Sequence, residues 1–363
     1  MGSSARDSCV MARDTTGTVE AFVAALPKVE LHVHLLGSAD LTTVADLARG
    51  HPQGEVPTDP EELAAYYEFT NFDHFLDVYV ALNRLVTTGE SVERLIIGLA
   101  ETLAADNVRY AEVTVTPLSH LKVGIDPAEL ADALESGRLA ARACGVEIAW
   151  IFDVSGDDGL VGAWATLDWI LRHQPVGTVA FGLGGPETGV PRAAFHDAFA
   201  SARAAGLRSV PHAGETTGPG EVLSALTELR ADRIGHGIAA ADAPRLLAHL
   251  AEHDVPLEVC VTSNLRTGAV GSWAEHPLPS LLTAGVPVTL GTDDPGMFGT
   301  TLSREYVLCA TRLGLDSTEL ASVTRAGIDA AFCSPATRRA LHAELDDALG
   351  TVLPEGTTPA PYR

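Results

Sequence analysis

The segment LHVHLLGS at residues 31–38 sets two histidines, His32 and His34, one residue apart in an apolar run. On a strand, residues two apart share a face, so both imidazoles project the same way, and imidazole is a common ligand for zinc and related cations. A single buried histidine is more often a hydrogen-bonded core residue than a ligand; a pair on one face points toward metal. Such a site needs further nitrogen or oxygen donors. They occur downstream as His212 and Glu215 in VPHAGE, His236 in RIGHG, and Asp293 and Asp294 in TLGTDDP. Each alone has an ordinary reading, as a buried histidine, a helix-capping carboxylate or an Asx turn before Pro295. Together they form the kind of histidine and carboxylate set that holds a catalytic zinc with one position open for water.

Every one of these residues closes a short β-branched run. Eight such runs, VELHVHL, VRYAEVTVTP, VEIAWIFDVSG, VAFGLGGPE, LRSVPHAGE, DRIGHG, LEVCVTSN and VPVTLGTDDP, alternate with amphipathic stretches such as PAELADALESGRLAARACG. The alternation predicts an α/β chain folded as a (β/α)8 TIM-type barrel, whose C-terminal strand ends carry the active site. A doubly wound open sheet is the other α/β reading, but no G-x-G-x-x-G turn follows the first strand. The connection over residues 36–107 is long enough for several helices, and we expect a helical lid insertion after the first strand at about 55–105. Within it Phe69, Phe72, Phe75 and Tyr79 recur at spacings of three and four, which places them on one helical face. That face either packs against the barrel or covers its open end. Residues 18–349 are expected to form one domain, with 1–17 disordered and 350–363 a tail.

Composition narrows the function classes. The chain carries 48 acidic against 24 basic residues, a formal net charge of −24, so it repels a polyanion and nucleic acid is set aside as a partner. No run reaches the apolar length needed to cross a bilayer, and the N-terminal stretch has no apolar core of a signal peptide. The five cysteines, Cys9, Cys144, Cys260, Cys309 and Cys333, are odd in number, scattered and never in C-x-x-C spacing. They argue against a disulfide framework or a cysteine-rich zinc site and favour a reducing, cytoplasmic setting.

PKVELHVHL, YAEVTVTP, PHAGE, RIGHG, LEVCVTSN and VTLGTDDP, in this order, resemble the adenosine deaminase family of the amidohydrolase superfamily over roughly residues 26–335. The resemblance implies one zinc bound by His32, His34, His212 and Asp293, with Glu215 as proton donor to a purine ring. It implies that His236 orients and helps deprotonate the attacking water, and that Asp294 and the backbone amide of Gly185 in GLGGPE contact the ring. Binuclear relatives bridge two metals through a carboxylated lysine on the barrel, commonly at the fourth strand's end. The only lysines here are Lys28 and Lys122, neither on the fourth strand, so one zinc is expected. The H-x-E and P-C-x-x-C pattern of cytidine deaminases is absent.

One departure bears on substrate. Family members that act on adenosine carry aspartate two residues after the second histidine, where it receives the ribose 5′-hydroxyl; here the position is Leu36. A leucine cannot accept a hydrogen bond, and an unpartnered buried hydroxyl costs about 1–3 kcal/mol. The resemblance therefore implies a nucleoside with a modified 5′ end, best 6-amino-6-deoxyfutalosine on the futalosine route to menaquinone. Adenosine, methylthioadenosine and adenosylhomocysteine are the alternatives. The carboxylate of the favoured substrate wants a cationic partner, for which Arg192 and Arg84 are the candidates. Gly182, Pro186 and Val261 depart from the adenosine-specific pattern and are read as changes in rim loops. The expected partner is a small aminopurine nucleoside, with homo-oligomerisation left open. A metal-dependent amide hydrolase and a catalytically silent binding protein are the competing classes; Glu215 argues against the first, and a complete ligand set against the second.

Overall fold

The structure is a computed structural model that describes residues 15–51 and 53–352. Eight strands stand in chain order around one sheet: β1 (Lys28–His34), β2 (Val108–Val115), β3 (Glu147–Ser155), β4 (Thr178–Gly184), β5 (Arg208–Ala213), β6 (Ile234–His236), β7 (Leu257–Val259) and β8 (Val288–Leu290). Neighbours pair in parallel from β1 to β8. The ring closes just past β8, where Val33 bridges to Asp293. There the His34 N–H donates to the Asp293 carbonyl at 2.7 Å and the Asp293 N–H donates to the His32 carbonyl at 2.9 Å. The expected (β/α)8 barrel is the observed fold, and its closing hydrogen bonds run through three of the candidate site residues.

Strand alternation explains how apolar and polar residues share one strand. In β1, Val29, Leu31 and Val33 join the apolar core, whereas Glu30 and His32 face the barrel interior. There Glu30 accepts from the Thr292 hydroxyl at 2.9 Å and His32 meets Glu258 at 2.8 Å. Much of the interior is thus a paired polar network, as the cost of unpaired burial demands, with His32 Nε2 left without a partner.

Between β1 and β2 run four helices, Leu41–Arg49, Pro60–Tyr66, Phe72–Asn83 and Gly89–Ala105. Each starts at a side chain that accepts from an early helical N–H: Asp40, Asp59, Asn71 and Thr88 respectively. The Asn71 cap corrects one expectation, because Phe69 precedes the helix that carries Phe72, Phe75 and Tyr79. Phe69 still joins the same aromatic cluster, with ring centroids 5.4 Å from Phe75 and 5.9 Å from Phe298. Phe75 also lies 5.3 Å from Phe298, which follows the TDDP turn, so the insertion is seated on the rim of the barrel.

Residues 15–17 open the helix Thr15–Ala25, and residues 350–352 finish the helix Pro335–Val352. The rest of the expected disordered N-terminus and of the tail, 1–14 and 353–363, lies outside the described residues. Among the described residues no helix is long and apolar enough to cross a membrane.

Candidate metal and catalytic site

Strand ends bring His32 and His34 of β1, His212 of β5 and Asp293 after β8 into one cluster whose ligand atoms all lie within 4.8 Å of one another. His34 Nε2 stands 3.2 Å from His212 Nε2, and Asp293 Oδ1 lies 3.4 Å from His32 Nε2 and 3.3 Å from His34 Nε2. His32 Nε2 is buried with no hydrogen-bond partner, although its Nδ1 is engaged by Glu258. The His212 ring donates from Nδ1 to the Leu183 carbonyl at 3.0 Å, which leaves Nε2 free as a ligand. Fixing one ring nitrogen so that the other faces the ion is how metal-binding imidazoles are oriented. The orphaned nitrogen and the donor set fit a divalent cation.

The same pocket perturbs its ionisable groups. Burial alone would lower the His32 pKa, but Asp293 and Glu258 outweigh it and raise it to about 10. Burial, followed by the charges of the neighbouring histidines, pushes His212 well down, and burial lowers His236 to about 3. Asp293 is held well below the usual carboxylate range because His32 and His34 overcome its desolvation. Glu215 moves the other way: burial, then the charges of Asp293 and Glu187, raise it well above an ordinary carboxyl. Burial, with Asp293 next, also raises Asp294.

Around the cluster, His236 Nε2 lies 3.6 Å from Glu215 Oε2 and 3.9 Å from Asp293 Oδ2. His236 and Asp293 both hold positive φ, 57° and 61°, a strained state that non-glycine residues rarely adopt and that recurs at functional sites. At Asp293 this turn sends consecutive carboxylates in different directions. Asp294 is buried against Gly37, with its Oδ1 unpartnered; a Cβ at residue 37 would fall 1.8 Å from that oxygen. Gly185 also needs its glycine, with φ +69° and only 2.4 Å between a built Cβ and the Ser155 hydroxyl. A cavity of about 580 Å³ opens beside Glu215, walled by Thr217, Ile238, Asp242 and Val270, with Asn71 and Phe72 from the helical insertion at its edge.

The model of the adenosine deaminase family matches residues 27–348. The chain belongs to the adenosine deaminase family. It is 50% identical over 331 residues to the aminodeoxyfutalosine deaminase of Streptomyces avermitilis, covering 90% of this chain and 92% of that protein. The enzyme of the same name from Streptomyces coelicolor is 49% identical over 336 residues, 92% of this chain and 87% of the relative. Among solved structures, the adenine deaminase from Arthrobacter aurescens superposes with a TM-score of 0.86 at 29% identity, covering 90% of this chain and 99% of that one. An amidohydrolase from Burkholderia ambifaria with bound Zn gives 0.84 at 29% identity, covering 92% and 94%. The chain is therefore a hydrolytic deaminase of the amidohydrolase fold.

Other residues of the deaminase fall less simply. Leu36 is buried in the turn Leu36–Ser38 and borders a small enclosed space with Tyr79, Asn83, Thr116 and His120. Arg192 is not presented to a ligand: it is fully buried and donates to the carbonyls of Pro186, Val190 and His212. Arg84 is largely exposed and faces Glu55 at 3.6 Å. Gly182 is no rim residue either, since it pairs with Asp153 inside the β3–β4 ladder, where a Cβ would lie 2.9 Å from the Asp153 Cβ. Lys28 sits at the start of β1, its ammonium bound to the Val23 and Leu26 carbonyls, and exposed Lys122 pairs with Asp158. Neither lysine is among the clustered ligands.

Four residues that the motifs did not single out support the candidate site. Glu258 anchors His32, and the Ser263 hydroxyl donates to Asp293 Oδ2 at 2.7 Å. The Asn264 side-chain amide lies 3.2 Å from His236 Nδ1 and fixes that ring. Glu187 accepts from the backbone N–H groups of Gly214, Glu215 and Thr217 and from the Thr217 hydroxyl. All four were visible within LEVCVTSN and GLGGPE; what was missing was their orientation toward other strands.

Proposed function

We propose that the chain is a zinc-dependent aminohydrolase that converts 6-amino-6-deoxyfutalosine and water to futalosine and ammonia, a step on a route to menaquinone. The observation that carries the reading is the buried cluster of three histidines and Asp293 with the buried Glu215 carboxyl beside it. The relatives at 49–50% identity that bear the name aminodeoxyfutalosine deaminase support the substrate. So does Leu36, an apolar side chain where a 5′-hydroxyl would need an acceptor.

His32, His34, His212 and Asp293 would hold one zinc ion, which when bound lowers the pKa of a water toward neutrality. The chain's own residues then divide the work. His236, its ring set by Asn264, orients the attacking water toward C6 and takes up its proton as the water adds. Attack at C6 breaks ring aromaticity and makes the adjacent ring nitrogen basic. Glu215 delivers its proton there, a role that burial beside the charges of Asp293 and Glu187 favours by holding its pKa well above an ordinary carboxyl. Asp294 and the Gly185 amide hold the ring; as the tetrahedral carbon collapses, the proton held by His236 passes to the amino group, which leaves as ammonia, and the C6 hydroxyl proton returns to Glu215. The insertion at about 55–105 acts as the lid, with Asn71 and Phe72 at the cavity edge.

The test is reconstitution. Metal-free protein supplied with one equivalent of zinc should release ammonia from 6-amino-6-deoxyfutalosine stoichiometrically with futalosine, and chelation should abolish the activity. Zinc uptake without turnover of any 6-aminopurine nucleoside would contradict the reading.

A further inference from the structure

Inside the barrel a buried chain of charges ends on His32. Glu258 Oε2 accepts from His32 Nδ1 at 2.8 Å, and its other oxygen accepts from Arg233 Nε. Arg233 Nη2 donates to Glu112, whose second oxygen accepts from the Tyr110 hydroxyl at 3.0 Å and the Phe332 N–H at 2.6 Å. Arg233 Nη1 donates to the Ala330 carbonyl at 2.8 Å, and the guanidinium lies 3.9 Å from the Phe332 ring centroid. Glu112, Arg233 and Glu258 are 0%, 1% and 1% exposed.

Stability alone is a poor account of this arrangement. Apolar residues of similar volume commonly replace buried ion pairs without loss, because desolvation offsets much of the Coulomb gain. Two carboxylates around one guanidinium leave one negative charge in a medium of low dielectric, directly behind a ligand set in which Asp293 is the only anion. A carboxylate behind a ligating imidazole orients the ring and raises its basicity toward metal. If Glu112 were neutral, Glu258 alone would balance the Arg233 charge and would accept more weakly from His32.

We propose that Glu112 and Arg233 are positioning residues for the metal centre, holding Glu258 on His32 with a net negative charge and so tightening the binding of the divalent cation. The inference rests on the metal-site reading above. It extends the support of the site from the immediate partner of the ligand to a residue pair one layer further away, tied to the segment 330–332.

The experiment measures zinc affinity of metal-free, folded protein by competition with a chromophoric chelator, for wild type, Glu112→Gln and Tyr110→Phe, with the melting temperature of each metal-free form recorded alongside. Glu112→Gln should weaken zinc binding by about tenfold or more, the range expected for loss of outer support to a ligand. Tyr110→Phe, which removes one donor and keeps every charge, should weaken it by a smaller factor. It also decides the matter if Glu112→Gln does not fold. Zinc affinities within twofold of wild type in the folded variants, whatever their melting temperatures, would overturn the proposal and leave a purely structural role. A wild type that takes up no zinc would instead remove the metal-site reading itself.

Discussion

Glu215 sits where burial and the charges of Asp293 and Glu187 all oppose loss of its proton. A group that must deliver a proton is silenced by an amide of the same shape, so Glu215→Gln should keep its zinc and lose turnover by about 10²–10⁴-fold. Zinc content and ammonia release measured on the same preparation check this; near-normal deamination would remove Glu215 from its role. Leu36 is the other decisive residue. Its substitution by aspartate restores an acceptor for a ribose 5′-hydroxyl and places a carboxylate against any 5′ extension. Leu36→Asp should therefore shift kcat/KM toward adenosine by about tenfold or more relative to 6-amino-6-deoxyfutalosine, equivalent to about 1.4 kcal/mol of discrimination. An unchanged ratio would disconnect Leu36 from substrate choice.

Among the elements, the loop after β5 depends on one carboxylate from the loop after β4. Glu187 gathers three backbone N–H groups and one hydroxyl of residues 214–217, and so fixes the backbone that carries Glu215. In Glu187→Gln the new amide N–H₂ would face these donors, each lost bond worth about 1 kcal/mol or more. We expect kcat to fall at least about tenfold with zinc retained, and a wild-type kcat would refute the coupling of the two loops. The turn before the helix Leu278–Thr283 carries a separate, titratable feature. His276 Nδ1 accepts from the Leu278 N–H at 3.2 Å, and burial lowers its pKa from 6.5 to about 4. Its contribution to stability is full above the unfolded value and is lost as pH falls from about 6.5 toward 4, because the unfolded chain takes up the proton first. His276→Asn keeps an acceptor without a titration, so metal-free variant should lose less urea resistance than metal-free wild type between pH 7 and pH 4.5. Parallel losses would contradict that assignment. The strand ends were legible because period-two spacing puts His32 and His34 on one face. The start of the lid helix was not, because the cap at Asn71, not the aromatic spacing, sets where Phe69 leaves it.

For the whole molecule, strand and helix alternation was enough to read the barrel, and the strand-end motifs held the candidate residues His32, His34, His212 and Asp293 that the fold gathers into one cluster. What stayed hidden were pairings between distant strands. Glu258 reaches His32 across 226 residues and Arg233 reaches Glu112 across 121, and no local pattern encodes such partners. The same blindness made Arg192 look like a free cation, although it is spent on backbone carbonyls. Fold and family are thus shared with proteins named for several substrates, and Leu36 is the residue on which the proposed substrate turns. The most direct test is kcat/KM of the zinc-loaded enzyme for adenine, adenosine, methylthioadenosine, adenosylhomocysteine and 6-amino-6-deoxyfutalosine, measured side by side. The account predicts that 6-amino-6-deoxyfutalosine exceeds adenosine by about tenfold or more; adenosine or adenine as the best substrate would contradict it.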